Sequence, residues 1–84
     1  MNTSIENLLY QGALAVKEGR LEQAQQYLLE VIEHDEQNEL AWLWLSGAVD
    51  DPADQQIALE NVLAVNPTNQ RALDGIAWLQ HRDQ

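Results

Sequence analysis

Residues 24–38, AQQYLLEVIEHDEQN, align without a gap on residues 55–69, QQIALENVLAVNPTN. Leu28 falls on Leu59, Val31 on Val62 and Asn38 on Asn69, which sets a period of 31 residues. Leu21, Ala24, Leu28, Val31 and Ile32 recur at three- and four-residue steps, the spacing of one buried helical face. Each matched helix is followed by an apolar segment containing an alanine and then a large residue, Ala41-Trp42 and Ala72-Leu73. A helix-turn-helix unit therefore occurs twice, with one closing helix.

The turn residues divide the chain into five helical stretches. Thr3 is placed to cap the first, with Glu6 three residues on completing a capping box, and the helix is expected to run to about Glu18. Gly19-Arg20 supplies a tight turn, and the second helix ends near His34. The third covers roughly Asn38 to Val49. Asp51 caps the fourth, with Pro52 at its first position and Asp54 near the free amides of the first turn. Ile57, Leu59, Val62 and Leu63 are its apolar positions. Asn66-Pro67-Thr68 ends it and starts a fifth helix carrying Leu73, Ile76 and Ala77. No run alternates with the period of a strand. The expected fold is all-α: one domain over 1–84, with repeat one at about 5–38, repeat two at about 39–69 and a capping helix at about 70–82.

The chain resembles the tetratricopeptide repeat family over nearly its whole length. LLYQGALAVKEGRLEQAQQYLLEVIEHDEQN carries that family's small residue at Gly12, its turn glycine at Gly19, its alanine at Ala24 and large apolar residues at Leu8 and Leu28. In the second unit Trp42, Leu45, Ser46, Leu59 and Pro67 fall on the motif. The resemblance implies a short right-handed α-solenoid of two repeats and a cap. It departs from the motif at Gln11, Gln55 and Glu36, and the second unit is about three residues short at the turn around Asp50 to Pro52.

Composition narrows the function. Hydrophobic residues make up 45% of the chain and charged residues 21%, the balance of a globular domain rather than a disordered one. Fourteen acidic against four basic side chains give a formal charge of -10, a field that repels nucleic acid and anionic membrane surfaces. There is no cysteine for a disulfide, a thiolate nucleophile or a metal site. MNTSIENLLYQ lacks the basic and apolar regions of a signal peptide, and no apolar run is long enough to span a membrane. The expected location is cytoplasmic.

Catalytic and cofactor motifs are absent from the sequence. His34 and His81 stand alone, and Ser4 and Ser46 have no neighbouring histidine to act as base. Asp50, Asp51 and Asp54 lack the spacing of a calcium loop and fit helix capping. No enzyme, cofactor or metal is expected.

The expected binding surface comes from the third helix. At about 100° per residue, Ala41, Trp42, Leu45 and Val49 form one stripe, and Leu40, Leu43, Trp44 and Gly47 form the other. A helix apolar on both sides needs two covers. In a tetratricopeptide-like stack the first stripe is core. The second floors a concave groove with Leu9, Ala13 and Val16 of the first helix and Trp78 of the fifth. Some members of that family clamp a peptide's C-terminal carboxylate with lysines and asparagines, but apolar residues and Gly47 hold those positions here. Arg71, Asp74 and Arg82 are expected at the rim beside Trp78. The expected partner is an apolar or amphipathic peptide or helix. The alternatives are a homo-oligomer that buries the same stripe and a closing helix folded back into the groove.

Overall fold

The computed structural model describes residues 4–82. Five α-helices form: α1 (Ile5–Lys17), α2 (Leu21–His34), α3 (Glu39–Ser46), α4 (Pro52–Val65) and α5 (Gln70–His81). Among the described residues there is no strand, so the chain is all-α.

Several helix boundaries have a local chemical cause. Ser4 caps α1, its hydroxyl accepting from the Asn7 amide at 3.0 Å; Thr3, expected in that role, lies outside the described residues. Gly19 ends the first helix at φ +77°, a conformation that glycine adopts without steric cost. The Arg20 amide then reaches the Ala15 carbonyl at 2.9 Å and the Gly19 amide reaches Val16 at 3.1 Å, which is the Schellman arrangement. Asp51 accepts from the Ala53 amide at 2.9 Å, with Pro52 opening α4.

The internal repeat survives at the level of individual hydrogen bonds. The amides of Asp35 and Asn66 reach Val31 and Val62, each at 2.8 Å, and those of Asn38 and Asn69 reach the carbonyls of Asp35 and Asn66, each at 3.1 Å. The side chains of Asn38 and Asn69 accept from Ala41 and Ala72, each at 3.0 Å. These two linkers close by the same bonds, 31 positions apart.

The third helix is shorter than its apolar pattern suggests. It stops at Ser46 rather than near Val49: the amides of Gly47 and Ala48 tighten onto the carbonyls of Trp44 and Leu45, at 3.0 and 2.9 Å, and side chains of other helices hold the segment that follows. Gln25 of α2 donates to the Ala48 carbonyl at 2.7 Å, and Gln55 of α4 donates to the Val49 carbonyl at 2.9 Å. Gln55 stands where a small residue was expected. Its amide accounts for that departure, since a methyl group could not close the shortened turn.

Helices adjacent in sequence pack on one another, and α1 also packs on α3. The resulting body is elongated, 49 × 26 × 16 Å. Leu8, Ala15, Ala24, Leu28, Val31, Ile32, Ala41, Leu45 and Ala48 form one buried cluster, and Leu59, Val62, Ala72 and Leu79 form a second. Burying a leucine or valine stabilises the fold by ~1.5–3 kcal/mol. The two clusters share Trp42, which packs against both. Trp42 was expected simply as core; it is half-buried, and its indole N–H donates to the Glu36 carbonyl at 2.9 Å.

Candidate functional site

The close approach of α1 and α3 starts from a glycine. A Cβ on Gly12 would lie 2.6 Å from Leu28 Cδ2, so α1 seats against α2 at a distance only glycine permits. That docking carries Val16, near the end of α1, alongside α3. At the other end, Glu39 fixes α3 to the α4–α5 linker: its Oε2 accepts from Asn69 Nδ2 at 2.5 Å and Asn66 Nδ2 at 2.8 Å. The Asn69 amide, and then that of Asn66, hold the Glu39 carboxyl below its ordinary range against an opposing effect of partial desolvation.

Between these fixed points lies a recess of about 270 Å³. Val16 comes from α1, Leu40, Leu43, Trp44, Ser46 and Gly47 from α3 and its cap, and Arg71 from α5. Leu40 is 53% exposed, an aliphatic side chain left largely in water. Trp44 and Leu43 are half-buried, Trp44 against the first core cluster and Leu43 against the second. Trp44 is thus part wall and part core. Ser46 turns its hydroxyl back to the Leu43 carbonyl at 2.6 Å, leaving the recess floor without a free donor from that group.

Other expected groove residues stand elsewhere. Leu9 and Ala13 are half-buried on α1 outside the recess lining, Leu9 packing against the first cluster. Trp78 is 62% exposed, also outside the recess, with the Arg82 guanidinium 5.1 Å from its ring centroid. Asp74 is exposed and accepts from Gln70 Nε2 at 2.8 Å. Arg71 therefore stands with Trp44, while Arg82 stands with Trp78.

One contributor is new. The Lys17 ammonium sits 5.8 Å from the Trp44 ring centroid, within cation–π range. Two of the four basic side chains in the whole sequence thus adjoin this recess. The signal for Lys17 was its place one residue after Val16 at the end of α1, where a lysine also satisfies the helix dipole.

Among the described residues no three histidine, aspartate or glutamate side chains converge to hold a metal ion, and no helix is long and apolar enough to cross a membrane. The arrangement offers apolar contact, an aromatic wall and positive charge at its margin, the means of holding a side chain. Compared with known proteins, the chain matches no family model, no curated protein and no solved structure.

Proposed function

We propose that this chain is a noncatalytic protein-interaction module, a short right-handed α-solenoid of two tetratricopeptide-like units and a cap. Its recess receives an apolar side chain from a peptide or helix. The observation that carries this reading is the recess itself, with largely exposed Leu40 beside half-buried Trp44. The repeated linkers and the packing of α1 on α3 support the solenoid. Lys17 and Arg71 add a preference for partners with a carboxylate next to the apolar anchor, worth ~0.2–1 kcal/mol at an exposed margin.

Peptides selected from a random library against the wild-type protein test the reading. They are expected to pair a leucine or aromatic residue with a nearby aspartate or glutamate. Leu40→Gln should weaken them about tenfold, because the leucine's exposure makes it a binding group more than a folding one. Trp44 is a poorer choice, since its removal also disturbs the first core cluster. Selected peptides that bind Leu40→Gln as well as wild type would overturn the proposal. Sedimentation over a range of concentrations decides the competing possibility of self-assembly: a dimer that Leu40→Gln dissociates makes the occupant a second copy of the chain.

A further inference from the structure

A second, differently charged cleft is lined by residues of α2 and α4, with Trp42 of α3. Leu29 on α2 is 52% exposed and Ile57 on α4 is 56% exposed, and half-buried Trp42 joins them in the lining. Two adjoining cavities, of about 490 and 180 Å³, share Leu29 and Trp42. Large aliphatic side chains half in water on two helices that line one cavity, with an aromatic ring beside them, form the kind of apolar patch that marks a contact surface.

Charge decides what fits there. Glu33 and Glu36 line the larger cavity and Asp54 the smaller, and neither is lined by a lysine or arginine. All four basic side chains are committed elsewhere: Lys17 over Trp44, Arg71 at the recess, Arg82 over Trp78, and Arg20 paired with Glu18. Among the described residues Trp42 is accordingly the tryptophan with no cation on its ring.

We infer that the α2–α4 cleft docks a basic amphipathic segment of a partner protein. Its apolar side chains rest on Leu29 and Ile57, a lysine or arginine covers Trp42, and further cations meet Glu33, Glu36 and Asp54. The carboxylates exclude acidic segments, so this surface and the Trp44 recess select opposite charge beside the same kind of apolar anchor. The inference does not depend on the recess being a binding site.

The test uses two synthetic helical peptides with the same leucine spacing, one carrying lysines and arginines on its polar face and the other glutamates. Titrated against the full chain, the basic peptide is expected to bind with a change in tryptophan fluorescence, and more weakly at high salt. The acidic peptide is expected not to bind at this cleft. Leu29→Gln and Ile57→Gln should each weaken the basic peptide about tenfold, and Glu33→Gln with Glu36→Gln should reduce its salt dependence. Leu40→Gln should leave it unchanged. Circular dichroism confirms that each variant retains its helices, which the exposure of the substituted side chains favours. Binding of the acidic peptide that Leu29→Gln weakens as much as it weakens the basic one would overturn the inference, as would loss of basic-peptide binding on Leu40→Gln but not on Leu29→Gln. So would a concentration-dependent dimer that Leu29→Gln dissociates, because the occupant would then be another copy of this acidic chain.

Discussion

Substituting Gly12 by alanine measures how tightly the first two helices are seated. Leu28, which the new methyl group would meet, is fully buried, with Cδ2 at 2.6 Å and Cγ at 2.7 Å from the added carbon. Ordinary carbon contacts are near 3.5–4.0 Å, so Leu28 or the α1 backbone must shift. Overpacking of this kind costs ~1–3 kcal/mol, and the gain from placing alanine instead of glycine inside a helix returns up to ~1 kcal/mol. The expected net loss is about 1–2 kcal/mol, a drop in Tm of ~4–8 °C per kcal/mol for a domain of this size. Urea unfolding followed by circular dichroism reads it directly. Leu28→Ala in the same chain removes both obstructing carbons, so the double variant should be more stable than the sum of the two single effects by ~0.5 kcal/mol or more. Gly47→Ala is the control: its added carbon would meet Val16 Cγ1 at 3.6 Å and the Trp44 carbonyl at 3.4 Å, ordinary contacts, and should change stability by no more than ~0.5 kcal/mol. A Gly12→Ala protein as stable as the wild type would refute the close seating of α1 on α2.

The shortened α3 turn predicts that Gln25→Ala or Gln55→Ala costs about 1 kcal/mol in urea unfolding, since each strips a partner from a turn carbonyl. Gln56→Ala, which loses only a surface contact with Glu60, should cost no more than ~0.5 kcal/mol. Glu39 predicts a pH effect whose sign follows from its lowered folded-state pKa. Its contribution to stability is complete above its ordinary value of 4.5 and is lost as the pH falls through the lower, folded value. The difference in urea midpoint between wild type and Glu39→Gln should therefore shrink from neutral to strongly acidic pH; a difference that holds constant would place the asparagine contacts outside the stability balance.

The helix boundaries that short-range chemistry controls were legible in the sequence. Gly19, Asp51-Pro52 and the Asn66-Pro67-Thr68 break each act within a few residues, and α2 ends at His34 as its pattern indicates. The course of the chain after α3 was not legible, because side chains from α2 and α4 hold the carbonyls of Ala48 and Val49, and residues 47–49 have no local feature announcing those donors. The same division holds for the recess. Leu40, Leu43, Trp44 and Gly47 share a face by helical periodicity alone, and Val16 joins them. The absence of Trp78 from the recess and the placing of Lys17 on Trp44 depend on how α5 and α1 are set against α3. Such angles arise from Gly12 against Leu28 and from Glu39 against two asparagines, contacts between residues far apart in sequence.

The two linkers that close by the same hydrogen bonds make the junctions after Asn38 and after Asn69 chemically interchangeable. The segment from Glu39 to Asn69 begins and ends on equivalent bonds, and it contains both Glu39 and the pair of asparagines that Glu39 grips. It is therefore a self-contained tile with its own latch. A second copy of residues 39–69 inserted after Asn69 would bring its own helix-start asparagine and its own gripped glutamate, whereas any other increment would leave one or the other without its partner.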